Sequence, residues 1–301
     1  MPLHSFPFFP IIYLLSVLRL ALAHGFVHSV VVGGQTYPGW NPFSDPYTSG
    51  PPKIVRKIGS DGPVSNTDAD IACHHGGNDG TAAIASASAG SEVTFQWAYW
   101  PGDHQGPVST YMTSCSGDCS NFGANDARWF KIDASGYDPS TRQWAAAKLI
   151  ANGMSWTSTI PVNLAPGQYL MRHEIIALHS SPAQFYPSCS QVEVTGSGTD
   201  TPSDSALISM QDLYTGVTFP NIYGESVSFA IPGPSPVSFD GNGGSASTPT
   251  TNNTSSNTST RASTSTSTVS RTVPDAVSTV VSQPSVQCHL GSKRLIRQRS
   301  G

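Results

Sequence analysis

The sequence predicts an all-β domain, an immunoglobulin- or fibronectin-like β-sandwich with long loops, followed by a disordered Ser/Thr-rich tail. Three observations carry this. Charged residues make up only 11% of the 301 residues, against about a quarter of an average globular chain. Glycine and proline are abundant, at 28 and 24 residues, which favours turns over helices. Short apolar runs recur between Gly/Pro/Asn/Asp/Ser clusters, and no long segment with the 3.6-residue period of an amphipathic helix competes with them.

Taken in order, the strand signals begin with Phe26–Val32 and Ile54–Ile58, two short runs rich in Val and Ile. Glu92–Trp100 is the clearest: Val93, Phe95, Trp97 and Tyr99 fall on one face and Thr94, Gln96 and Ala98 on the other, the period of two that a half-buried strand requires. Trp129–Ile132, Trp156–Val162, Gln168–Leu178 and Gln191–Thr195 follow. About seven short strands with long loops make a sandwich, and about 210 residues suffice for one domain with a sizeable core. Ala165-Pro166-Gly167 followed by Tyr169 matches the tyrosine corner of such sandwiches, without the cysteine expected two residues later.

Both ends of the chain read differently. Residues 1–23 run through Ile11-Ile12-Tyr13-Leu14-Leu15 to Ala21-Leu22-Ala23, a secretory signal with an A-x-A cleavage site, too short in its apolar run to span a membrane. The expected domain is 24–236. Residues 237–285 form a Ser/Thr-rich linker, with 23 Ser/Thr among residues 245–285, a composition that cannot bury enough surface to fold. It carries N-glycosylation sequons at Asn252, Asn253 and Asn257. Residues 286–301 are a short basic tail, with Cys288 left over. Residues 24–240 hold 18 acids against 8 bases, a balance that argues against nucleic acid or an anionic membrane as partner.

In an oxidising compartment Cys73, Cys115, Cys119 and Cys189 form two disulfides, for which three connectivities are possible. The spacing of Cys115 and Cys119 favours a local loop, which leaves Cys73 with Cys189. A zinc site drawing on Cys73-His74-His75 and Cys115-x3-Cys119 is the competing reading.

Cleavage after Ala23 makes His24 the new N-terminus, a residue that offers an α-amine and a ring nitrogen together. The amine's reference pKa, about 7.7–8.0, lets a metal displace its proton at little cost. Nitrogen ligands in a plane suit copper. His104, on the Gly/Pro-rich loop after the Glu92–Trp100 strand, is placed to supply a third nitrogen. Downstream, Arg172-His173-Glu174-Ile175-Ile176-Ala177-Leu178-His179 closes the longest strand, and Gln184-Phe185-Tyr186-Pro187 precedes Cys189. Arg172 and Glu174, two apart on one strand face, read as a structural ion pair. His28, His74 and His75 receive no role.

A start H-G-F-V, a W-P-x-x-H-x-G-P-V segment, a C-S-G-D-C loop, an R-H-E-I-I-A-L-H strand and a Q-x-Y-P-x-C turn follow one another in that order. Together they resemble the cellulose-active fungal lytic polysaccharide monooxygenases of auxiliary activity family 9. The resemblance implies that the His24 amine and ring with the His104 ring form a copper-binding histidine brace, with Tyr186 axial and His179 and Gln184 as hydrogen-bonding groups beside the copper. It maps the family's disulfides onto Cys73–Cys189 and Cys115–Cys119, and its substrate-facing aromatics onto Tyr47 and Tyr223. The implied reaction reduces Cu(II) to Cu(I), activates O2 or H2O2, and removes hydrogen from C1 or C4 of a β-1,4-glucan. An external reductant is required: a small phenol, ascorbate or a partner dehydrogenase. The expected form is a secreted monomer, and the resemblance implies that the 286–301 tail is a truncated or misread cellulose-binding module. Two rivals stand beside it: a glycosidase using paired carboxylates from among Glu92, Glu174, Glu193, Asp103 and Asp212, and a non-catalytic copper-handling protein on the same fold.

Overall fold

The computed structural model describes residues 24–224 and 227–239. The expected signal segment, nearly all of the linker with Asn252, Asn253 and Asn257, and the tail with Cys288 lie outside the described residues.

Among the described residues, twelve strands appear in the order β1 (Val27–Val32), β2 (Gln35–Pro38), β3 (Ala85–Ser88), β4 (Glu92–Trp97), β5 (Val108–Ser114), β6 (Arg128–Ser135), β7 (Tyr137–Asp138), β8 (Gln143–Trp144), β9 (Ser155–Thr159), β10 (Gly167–Ala177), β11 (Gln184–Thr195) and β12 (Ile208–Ser209). Helix α1 (Ala145–Ala151) lies between β8 and β9, and α2 (Met210–Leu213) follows β12. A four-stranded sheet ordered β2-β1-β4-β9 faces a six-stranded sheet ordered β12-β6-β5-β10-β11-β3, and β7-β8 form a small ribbon. β3 pairs in parallel with β11, and the other strand pairs among the described residues are antiparallel. The predicted sandwich is thus the observed fold.

The alternation read in β4 is realised: Val93, Phe95 and Trp97 are buried between the sheets while Glu92 is exposed. With Val30, Met112, Met171 and Ile175 they form the inter-sheet core, where each buried apolar side chain contributes roughly 1.5–3 kcal/mol. β10 is buried on both faces. Met171, His173 and Ile175 point inward, the His173 ring stacking on Phe95 at 4.3 Å. Leu170, Arg172, Glu174 and Ile176 point to a second cluster on the outer face, roofed by Val64, Ile71, Met210 and Leu213. Long loops therefore act as a third layer over the larger sheet. Arg172 and Glu174 form the expected ion pair, fully buried, with Tyr214 Oη also donating to Glu174 and Arg172 donating to the carbonyls of Ile71 and Ala72. The tyrosine corner also forms, as Tyr169 Oη donates to Ala165 O at 2.8 Å.

Ile54–Ile58 is a correction. It makes no strand, only an isolated bridge from Val55 to Ser190. β3 already holds the neighbouring edge of β11 from Val192 to Thr195. The buried Arg56 side chain draws this segment toward the carbonyls of Gly77, Asn78, Cys119 and Phe122 instead. At the other end Val237 N donates to Lys131 O at 2.8 Å, so the first residues past 236 still dock on β6.

Candidate metal centre

The chain enters β1 through His24-Gly25-Phe26. A Cβ on Gly25 would stand 1.7 Å from Tyr99 O, so only glycine lets this segment press against the end of β4. Ala98 N donates to Phe26 O at 2.9 Å and completes the seam. The loop after β4 is stitched to the end of β10: Ile176 N donates to Pro107 O at 3.1 Å and Leu178 N to Gln105 O at 2.8 Å. Gly106 is required there, since its Cβ would lie 1.8 Å from Ile176 O. Register places Gln184 opposite Ala177 and Tyr186 opposite Ile175, so the start of β11 lies beside the end of β10, two residues before His179.

These elements bring His24, His104, His179, Gln184 and Tyr186 together at one end of the sandwich. The ring centroids of His24 and His104 are 5.7 Å apart, those of His24 and Tyr186 6.1 Å, and His179 stacks on His104 at 3.7 Å. Trp100 packs edge-on against both His104 and Tyr186, and its indole Nε1–H donates to His104 O at 2.8 Å. Tyr186 Oη donates to Gln184 Oε1 at 2.6 Å.

Protonation follows from the partners. His104 Nδ1 meets Asp103 Oδ1 at 2.9 Å, a bond that places the ring proton on Nδ1. The Nε2 lone pair is then left buried with no partner, as is His179 Nδ1. A buried nitrogen left unpaired costs about 1–3 kcal/mol, so its presence beside two further imidazoles fits a transition-metal ion, for which imidazole is a good ligand. The hydrogen bond from His104 holds the Asp103 carboxyl below the usual range. Burial, reinforced by His104, lowers the pKa of His179. Burial, then the Asp61 carboxylate, pushes the Tyr186 phenol well up, so it stays neutral at any working pH.

Tyr47 and Tyr223 are surface rings, 84% and 72% exposed. Tyr223 Oη reaches His179 O at 3.5 Å. Phe43, 61% exposed and packed on Phe26 at 6.3 Å, is an aromatic the sequence reading passed over; its signal was its place four residues before Tyr47. Disulfides join Cys73 to Cys189 and Cys115 to Cys119, so the thiols of the competing zinc reading are not free. Of the acids weighed for a glycosidase, Glu174 is committed to Arg172 and Tyr214.

Fold and site define a class: a β-sandwich domain that gathers three imidazoles and a buried phenol at one surface. Residues 24–228 match the model of Auxiliary Activity family 9, formerly GH61. The AA9 family lytic polysaccharide monooxygenase A of Gloeophyllum trabeum is 48% identical over 246 residues, 75% of this chain and 75% of that protein. Among solved structures, the extended catalytic domain of H. jecorina LPMO9A aligns with a TM-score of 0.66 at 36% identity, over 71% of this chain and 91% of that one. A cellulose-active polysaccharide monooxygenase from M. thermophila aligns with a TM-score of 0.61 at 36% identity, over 72% and 99%. The chain belongs to auxiliary activity family 9, the lytic polysaccharide monooxygenases.

Proposed function

We propose that the mature protein is a secreted, copper-dependent enzyme that cleaves the β-1,4-glycosidic bonds of cellulose oxidatively, at C1, C4 or both, with O2 or H2O2 and an external electron donor. The observation that carries this reading is the buried, unpartnered Nε2 of His104 beside His24. Removal of residues 1–23 would free the His24 amine, which with the His24 and His104 rings and the Tyr186 phenol beside them would hold one copper. When bound, copper supplies the one-electron chemistry that activates the oxidant and leads to oxidation of a C–H bond beside the glycosidic oxygen.

The chain's own residues set the conditions. Asp103 fixes the tautomer that leaves His104 Nε2 free, as groups behind metal ligands do generally. Gln184 accepts the Tyr186 hydroxyl, keeping the phenol oriented. His179, stacked on His104 with an unpartnered Nδ1, offers a hydrogen-bonding nitrogen next to the centre. Tyr47 and Tyr223 present rings on which glucose faces stack. Small phenols, ascorbate or a partner dehydrogenase serve as reductant, and the protein works as an extracellular monomer without nucleic acid or membrane. The cellulose assignment is supported by the M. thermophila neighbour, itself described as cellulose-active.

Mass spectrometry of soluble products from cellulose treated with copper-loaded protein and ascorbate tests the proposal. Aldonic or 4-keto oligosaccharides are expected, and none from His104→Ala. An undiminished yield from that variant refutes the ligand set. Activity that survives a copper chelator and gives no oxidised ends returns the glycosidase reading.

A further inference from the structure

His74 took no part in the site above, yet its surroundings are unusual. It is 3% exposed and holds a left-handed backbone conformation, φ 70°, which a non-glycine residue adopts at a cost. Both ring nitrogens are used. Nδ1 accepts the amides of His75 at 2.9 Å and Gly59 at 3.3 Å, which leaves the proton on Nε2 to donate to Gly62 O at 2.9 Å. The imidazole therefore ties both ends of the loop 59–62.

That loop faces the metal centre. Ser60, Asp61 and Gly62 line a small cavity of about 10 Å³ whose other walls include Gly25, Trp97 and Tyr186, room for one water at most. Loop and site are thus nearly in contact. The chain on either side is also anchored to the strand carrying Tyr186. Val64 N donates to Phe185 O at 2.9 Å. Cys73, next to His74, is bonded to Cys189, three residues after Tyr186. Residues 59–62 make no backbone hydrogen bond to a strand, and His74 is the side chain that ties them down.

We propose that His74 is a positioning residue of the metal centre: its imidazole clamps the loop 59–62, and the loop sets where Tyr186 and the His24–Phe26 segment stand. The proposal rests on reading His24, His104 and Tyr186 as the copper site. Outer groups that orient metal ligands typically change metal affinity by about 10–100-fold when replaced, and the same scale applies here.

The test uses the mature full chain with His74→Asn and His74→Ala. Asparagine tolerates the left-handed conformation and keeps an acceptor near the Nδ1 position, but is too short to reach Gly62 O; alanine loses every tie. Amide shifts of Gly25 and Tyr186 are read by NMR on metal-free protein, and the Cu(II) dissociation constant by competition titration. Both amides are expected to move and copper to bind about tenfold more weakly or worse, with alanine the more severe. If His74→Ala does not fold, His74→Asn decides. Unmoved amides, or copper affinity within twofold of wild type, overturn the proposal and leave His74 a stabilising residue only. Should the wild type itself take up no copper, the site reading fails separately, and the metal-free amide shifts alone decide whether the clamp exists.

Discussion

Acidification reports on one buried group whose environment is fully drawn, His173. Its Nε2 accepts Trp97 Nε1–H at 3.1 Å, so the single ring proton sits on Nδ1, 3.2 Å from Thr110 Oγ1. A second proton would point at the Trp97 N–H inside the core. Burial, and then the neighbouring Arg172 charge, lower the pKa from 6.5 to about 3. The folded value lies below the unfolded one, so the unfolded chain takes up the proton first. The stabilisation is fully present above pH 6.5 and is lost as pH falls from 6.5 toward 3. One proton costs about 1.36 kcal/mol per pH unit inside that window, so the interval from pH 6 to 4.5 removes about 2 kcal/mol through this residue. His173→Gln keeps an acceptor for Trp97 and cannot titrate. Whatever its offset in stability, its loss between pH 6 and 4.5 is expected to be smaller than that of wild type by about 2 kcal/mol. Urea unfolding followed by tryptophan fluorescence at the two pH values, disulfides intact, measures this. Equal pH dependence in the two proteins would refute the reasoning, because every other titrating group is common to both.

The other predictions concern the outer layer, the loop bearing His104 and the exposed rings. Arg172→Met leaves Glu174 buried without its cation and is expected to cost about 3–5 kcal/mol in denaturant unfolding; adding Glu174→Leu should return part of that, and a double variant no better than the single would count against a buried ion pair. Gly106→Ala drives a Cβ into Ile176 O, displaces the His104 loop, and should weaken Cu(II) binding about tenfold or more; wild-type affinity would show that the loop is not rigidly seated. Tyr47→Ala and Tyr223→Ala should each lower partition onto microcrystalline cellulose, without reductant, about two- to tenfold; unchanged isotherms would remove both from the substrate face.

Much of the sandwich was legible because its logic is local. β4 shows period two, since one of its faces is buried and the other is not. β5 escaped notice for the opposite reason: every residue from Val108 to Thr113 is buried, so no alternation marks it. β3, Ala-Ser-Ala-Ser, has low intrinsic strand preference and exists through its parallel pairing with β11. α1 has only seven residues, too few to display a helical period. Ile54–Ile58 looked like a strand because a buried arginine cannot be told from an exposed one by pattern. At the site, His24, His104, His179, Gln184 and Tyr186 were legible through ordered motifs, while their convergence depends on β10–β11 register and two glycines that admit close backbone approach. His74 was illegible, because its role lies in a positive φ and three hydrogen bonds that no spacing announces.

Calorimetric titration of Cu(II) into two forms of the protein asks whether an α-amine and two imidazoles together hold one copper. One form begins at His24; the other carries a single extra alanine ahead of it. One tight site per chain is expected in the first and a loss of affinity by orders of magnitude in the second, where the amine has become an amide. Equal affinity in both forms would contradict it.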